Sequence, residues 1–316
     1  MNFLVTGGAG FIGSHVCERL LQTGHAVWTL DDLNPFYDPA LKQRTLQSLQ
    51  SSGKPFQFVH GDITDRACLE ELCGSVQFDQ IIHLAARAGV RPSLLQPALY
   101  QRVNVEGTVN LLEAARQNGV KKVTIASSSS VYGVNAKVPF SESDPIFSAI
   151  SPYAASKLAC EALGHVYHHV YGMDIVMLRF FTVYGPRQRP DMGFHKFLRA
   201  TIEGRPISVF GDGEQTRDFT FVDDAVSATA AAAVRGVPGR VYNIGGGSRV
   251  SLNAVLAIIG DVVGRQPVLA READQKGDMR HTYADTTLAR TDLGFAPTWD
   301  LRRGLAAEYE WLNGCL

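Results

Sequence analysis

Through the first 180 residues, short β-branched apolar runs alternate with longer stretches in which apolar residues recur every three or four positions. A strand or an amphipathic helix accounts for each, so the alternation predicts a parallel sheet covered by helices on both faces. Strands are expected at 3–6, 26–31, 56–60, 80–85, 122–127 and 175–180. After the first, Ile12, Val16, Leu20 and Leu21 keep helical spacing and Gly24 stands where a helix stops. Ser151 before Pro152 predicts another start, because serine caps a helix and proline at the first helical position loses no needed N–H.

Beyond residue 180, Gly, Pro and Arg crowd 184–191 and 204–217, which reads as loops between shorter elements. Helices are expected at 222–234, 252–263 and 301–312, and a strand at 241–244. The fold class is therefore α/β: a doubly wound parallel sheet over 1–180, with a smaller C-terminal α/β substrate lobe over 181–316. The helix and strand near 222–244 are candidates to pack back onto the first lobe.

Composition narrows the function classes. The chain has 316 residues, more than the roughly 250–300 that a single core usually reaches, which favours two lobes and a cleft. Hydrophobic residues at 45% against 19% charged support a buried core. With 30 Lys and Arg against 31 Asp and Glu, no overall positive field invites nucleic acid or an anionic membrane. Any anion must be held by a few placed groups. Five cysteines without a C-x-x-C pair suit a reducing compartment, and neither a leader-like start nor an apolar run of about 20 residues is seen. We expect a cytoplasmic enzyme with no membrane or nucleic-acid partner. His165, His168 and His169 share a helix face but lack further ligands at zinc-motif spacing, so no metal is assigned.

Gly7, Gly10 and Gly13 follow the first strand and open the first helix, with Phe11 and Ile12 between. Small residues there let a pyrophosphate approach the positive end of the helix dipole, the fingerprint of a Rossmann dinucleotide site. Asp31 and Asp32 stand 18 and 19 residues past Gly13, where a carboxylate can accept from adenosine ribose hydroxyls; either could instead cap the loop into Asn34 and Pro35. An acid there disfavours a 2′-phosphate, so NAD is expected rather than NADP. Asp62 ends the third strand, within reach of adenine or as a turn residue.

Tyr153 and Lys157 lie four apart near a helix start and so share a face. A phenol, with a reference pKa of about 10, is a poor base at neutral pH, but a neighbouring ammonium and an oxidised nicotinamide both favour its anion. Tyr153 could then take a proton from a sugar hydroxyl during hydride transfer. Ser127 to Ser130 end the fifth strand, where ligands sit in a doubly wound sheet.

The glycine loop, serine run, Tyr-x-x-x-Lys and late arginine motifs together resemble the extended short-chain dehydrogenase/reductases, and within them the nucleotide-sugar 4-epimerases, over essentially the whole chain. The resemblance implies bound NAD, Ser128 as the catalytic serine, Ser129 and Ser130 lining the hexose pocket, and further cofactor contacts from Ile63, Leu84, Ala85, Ala86 and Asn104. It also implies a homodimer built from helices around 103–117 and 153–171. Members that dehydrate or decarboxylate carry a glutamate just before Val-Tyr-Gly; here that position is Ser130, which leaves epimerisation at C4 as the leading reaction.

Segments 83–91 and 179–192 and the pair Gly277-Asp278 resemble the branch that acts on UDP-glucuronate. Thr182, Arg189 and Arg91 become candidates for holding a C6 carboxylate, which a guanidinium can grip through two hydrogen bonds. Arg217 and Arg280 are expected on the diphosphate and Asp278 on the ribose. Gln275 and Thr282 depart from the residues common in hexose epimerases, which opens room for 2-acetamido sugars. Rival readings are a UDP-glucose/UDP-galactose or N-acetyl 4-epimerase, a UDP-glucuronate decarboxylase and a silent NAD-binding protein.

Overall fold

The computed structural model describes residues 1–134, 137–273 and 279–315. The six expected strands form as β1 (Asn2–Thr6), β2 (Ala26–Asp31), β3 (Phe56–His60), β4 (Gln80–His83), β5 (Lys122–Ser128) and β6 (Asp174–Phe180). They lie parallel in the order β3-β2-β1-β4-β5-β6, and a seventh strand, Val241–Ile244, adds parallel to β6. The chain runs outward from β1 to β3 and then crosses back to β4, so a crevice opens beyond the carboxyl ends of β1 and β4.

Successive residues of the inner strands feed opposite faces. Phe3, Val5, Val176 and Leu178 enter one core with Val16 and Leu20, while Leu4, Ile175 and Met177 enter another with Leu111 and Leu112. Both faces are covered by helices, which is why these strands read as continuous apolar runs. The Ala-rich helix Val222–Arg235 packs on the glycine-loop helix Phe11–Gln22 in the first core. The segment 222–244 thus adds a strand to the sheet that the first 180 residues begin and a helix to the layer that covers it.

β4 ends at His83, earlier than the expected 85. Leu84 N donates to Thr6 O at 3.1 Å and Ala85 N to Thr6 Oγ1 at 3.3 Å, so the chain leaves the ladder while still tied to β1. That early exit leaves room for the glycine loop. Gly7 has φ 74, and a Cβ on it would lie 2.7 Å from Ala85 N. The serine run also divides: Ser127 and Ser128 end β5, whereas Ser129–Tyr132 is one 3₁₀ turn. The helix Gly193–Glu203 carries no signal in our reading of the sequence, yet it lines one end of the cavity described below. Among the described residues, no helix is long and apolar enough to cross a membrane.

A methyl group on Gly13 would collide with the Gly7 carbonyl, and that loop is pinned by Gly7 N to Leu30 O at 2.7 Å and Gly10 N to Gly7 O at 3.1 Å. Gly13→Ala is expected to lose about 1–3 kcal/mol of stability, typical of overpacking. Urea unfolding should show a lower midpoint at constant slope; an unchanged midpoint would mean that the loop yields.

Candidate active site

A cavity of 1360 Å³ runs from the glycine loop across the strand ends to the helix Gly193–Glu203. At the glycine end it brings together Gly7, Gly10, Phe11, Ile12, Gly13, Asp31, Asp32, Asp62, Ile63, Leu84, Ala85 and Ala86. Ser128, Ser129, Ser130, Tyr153 and Lys157 line its middle, with Arg91, Thr182, Arg189 and Arg217. Two expected residues are not brought to it. Asn104 is buried and its amide is spent on Arg87 N and O and on Ser156 Oγ, at 2.7, 3.0 and 2.9 Å. Arg280 projects outside the cavity, where its Nη2 donates to Asp212 Oδ2 at 2.6 Å. Asp278, with Gln275 and Gly277, lies outside the described residues.

The glycine end fits a dinucleotide. Helix Phe11–Gln22 starts at Gly10 with no side-chain cap, so the amino end of its dipole is left to an incoming anion. Asp31 is buried and accepts from Ala9 N at 3.2 Å, Leu33 N at 3.0 Å and Lys42 Nζ at 2.9 Å. Asp32 accepts from Asn34 N at 3.0 Å. Both acids therefore cap their loop and line the cavity at once, and Lys42, absent from the sequence-based list, sets a cation beside them. Asp62 likewise caps its own turn through Thr64 N at 2.8 Å.

The reactive middle is built on the helix Pro152–Tyr171, which starts as its sequence dictates, with Ala154 N donating to Ser151 Oγ at 3.1 Å. Lys157 is buried and donates to Ala126 O at 2.8 Å, which fixes its ammonium at the end of β5. Tyr153 meets Tyr100 edge to face at 6.2 Å. Ser128 Oγ donates to Ser130 Oγ at 3.1 Å and accepts from Ser130 N at 3.2 Å. One further turn along the helix, Glu161 Oε1 accepts from Ser127 Oγ at 2.5 Å and Arg179 Nε at 2.9 Å, while Arg179 Nη2 donates to Oε2 at 2.7 Å. The 153, 157, 161 spacing was visible in the sequence, but nothing local pointed to its partner.

At the far end, Arg189 donates through Nε and Nη2 to Asp191 at 2.9 and 2.7 Å, and its guanidinium lies 5.3 Å from the Phe36 ring centroid. A guanidinium has five donors, and the bonds to Asp191 use only Nε and Nη2. Arg91 stacks on Phe210 at 5.2 Å, and Arg217 Nη1 donates to Thr216 O at 2.9 Å. A side cavity of 130 Å³ shares Val90, Ser129, Ser130, Thr182 and Arg217 with the main one and reaches Met279 and Thr282.

His83 shows how tightly the crevice is wired. Thr108 Oγ1 donates to Asn104 O at 2.5 Å, so its oxygen accepts from His83 Nε2–H at 3.0 Å, and Nδ1 then accepts from Thr6 Oγ1 at 2.7 Å. Burial, with the Lys157 charge adding to it, lowers the His83 pKa to about 3. The ring, on β4, is held neutral between Thr6 of β1 and Thr108 of the helix Gly107–Gln117.

A model of the NAD dependent epimerase/dehydratase family matches residues 3–245. The chain is 41% identical over 310 residues to the UDP-glucuronate 4-epimerase of Thermodesulfobacterium geofontis, covering 98% of this chain and 95% of that protein. It is also similar to the UDP-glucuronic acid 4-epimerase from Bacillus cereus in complex with UDP-glucuronic acid and NAD, with TM-score 0.92, 38% identity and 100% of both chains covered. A third relative is the UDP-glucose 4-epimerase of Thermotoga maritima with UDP-glucose, at TM-score 0.91 and 34% identity, covering 100% of this chain and 99% of that one.

The neutral His83 gives a pH prediction. Its folded pKa lies below the reference 6.5, so the unfolded chain binds more protons as pH falls from 6.5 toward 3, and stability drops on acidification. This one group contributes a slope of at most about 1.4 kcal/mol per pH unit. Denaturant midpoints of wild type and His83→Gln across that range should show a shallower acid limb in the variant; parallel limbs would remove His83 from the acid response.

Proposed function

The chain belongs to the NAD dependent epimerase/dehydratase family, and from that premise we propose that it epimerises UDP-glucuronate at C4, giving UDP-galacturonate through a 4-keto intermediate. The observation that carries the uronate reading is the placement of Thr182 and Arg189 in the cavity that holds Ser128, Tyr153 and Lys157. NAD is the cofactor: when bound, it takes a hydride from C4 and returns it to the opposite face.

The protein supplies the rest. Tyr153 takes the C4 hydroxyl proton and later gives one back, with the Lys157 ammonium as its neighbouring cation. Ser128 hydrogen-bonds the C4 oxygen, and Ser129 and Ser130 line the hexose. Arg217 and Asp278 anchor the nucleotide, so the keto sugar turns while the diphosphate stays. Oxidation at C4 makes a β-keto acid, which loses CO2 when its carboxylate bond aligns with the carbonyl π system. Thr182 and Arg189, with Arg91 nearby, hold the carboxylate out of that alignment. Within the same proposal, residues 1–180 with the strand and helix of 222–244 hold the cofactor, the remainder of 181–316 holds the nucleotide sugar, and the enzyme works as a cytoplasmic homodimer.

A second reading, a hexose or 2-acetamido-hexose 4-epimerase, draws on the side cavity beside Thr182 and Thr282. Decarboxylation has less support, since Ser130 stands where a carboxyl group would act.

Incubation with UDP-glucuronate, read by NMR, should yield UDP-galacturonate; activity on UDP-glucose with none on UDP-glucuronate would sink the uronate assignment. Tyr153→Phe should lower kcat by about 10²–10⁴ while retaining NAD, since it removes only the acid-base group. Arg189→Ala should raise KM for UDP-glucuronate and leave that for UDP-glucose nearly unchanged; equal effects on both would take Arg189 off the carboxylate.

A further inference from the structure

The loop that delivers Arg189 is tied down residue by residue. Gly185 N donates to Glu308 Oε2 at 2.9 Å, and Pro186 O accepts from His15 Nε2 at 2.9 Å. Arg187 Nη2 donates to Glu18 Oε2 at 2.9 Å, with Nη1 3.5 Å from Ser14 Oγ. Gln188 Nε2 donates to Val183 O at 3.2 Å and its Oε1 accepts from His195 N at 2.9 Å. The ties at Pro186 and Arg187 both end on the helix Phe11–Gln22, whose amino end is the glycine loop.

Two features mark this clasp as more than surface decoration. Arg187 has φ 64, a left-handed conformation that costs a non-glycine residue on the order of 1–3 kcal/mol. Glycine would adopt it freely, so the backbone there does not call for an arginine; the side-chain tie to Glu18 does. His15 is kept neutral, its pKa lowered to about 4 by burial and then by the Arg187 charge, so its Nε2–H is a steady donor to Pro186 O. Neither His15, Glu18 nor Arg187 lines the cavity. Any effect they have on the chemistry passes through the elements they tie, the glycine-loop helix and the loop that carries Arg189 two residues further on.

We infer that His15, Glu18 and Arg187 are positioning residues that fix Arg189 against the cofactor-loop helix and so suppress loss of CO2 from the keto intermediate. The inference rests on the uronate reading above. A loop that drifts lets the carboxylate rotate into line with the C4 carbonyl. The C5–C6 bond then breaks, CO2 leaves, the electron pair stays on C5 conjugated with the carbonyl, and a solvent proton adds at C5 to give a UDP-4-ketopentose. No oxidant beyond the one that made the ketone is consumed.

The test compares wild type with Glu18→Gln and Arg187→Gly, the second of which removes the tie while relieving the backbone. Each is assayed on UDP-glucuronate and UDP-glucose, with bound NAD, thermal midpoint and the ratio of CO2 released to UDP-galacturonate formed. The expected result is a rise in KM for UDP-glucuronate over that for UDP-glucose on the order of tenfold, as a small misplacement of a binding group produces. A several-fold larger CO2 fraction should accompany it, at unchanged NAD content. Arg187→Lys, which keeps a cation for Glu18, should recover part of both effects. Equal losses on the two substrates with a constant product ratio, or loss of NAD, would overturn the inference and leave the clasp merely structural. A wild type that turns over UDP-glucose but not UDP-glucuronate would instead overturn the uronate reading, and this inference with it.

Discussion

The geometry of the site hangs on one buried ion pair, Glu161 with Arg179, whose side chains are 5% and 3% exposed. Removing two charges from water costs several kcal/mol per ion, and only close, fully satisfied contacts offset that. Here satisfaction is nearly complete. Arg179 spends Nε and Nη2 on the carboxylate and Nη1 on Tyr132 at 2.9 Å; Tyr132 donates in turn to Asn243 at 2.7 Å. Asn243, on the seventh strand, donates to Phe140 O and Asp285 O at 2.9 and 3.1 Å. Burial pushes the Tyr132 phenol up to about 12, so it stays a donor. Breaking one partner of such a pair costs about 3–5 kcal/mol, so helix and strands are held in a single relation. Lys157 is one helical turn from Glu161, and Ser128 is next to Ser127, the other ligand of that carboxylate. The reactive groups inherit their separation from charges that never touch a substrate.

What could be read from the sequence was what local rules decide. Strand and helix periods, the Ser151 cap and the glycine loop each depend on residues within one turn or one strand, and apart from the end of β4 they appear where they were expected. The losses came where distant segments compete for the same side chain. Asn104 was expected on the cofactor from the resemblance alone, but Arg87 and Ser156 hold its amide. Arg280 sits in an arginine motif, but Asp212 turns it outward. Lys42 was overlooked because only the crossover from β2 brings it back to Asp31, and β4 ends early because Thr6 on the neighbouring strand captures the next two amides.

The near-zero net charge hides local charge along the cavity. Asp31, Asp32 and Asp62 line one end with Lys42 bonded to Asp31, while Arg91, Arg189 and Arg217 line the other with Asp191 bonded to Arg189. A cleft walled by low-dielectric protein focuses such a field, so local polarity orients a ligand that the whole-molecule charge would ignore. Ribose hydroxyls suit the carboxylates, and anionic groups suit the helix amino end and the guanidinium groups.

The seventh strand carries a consequence for how the protein comes into being. Val241–Ile244 pairs with β6, so a nascent chain that has only reached residue 180 presents β6 with a bare row of N–H and C=O groups, a template for illicit pairing with other chains. The segment between must be made before that border can be sealed. No single cut releases a finished seven-stranded sheet, and a graft of this sheet onto another protein would have to bring two separated pieces of the chain.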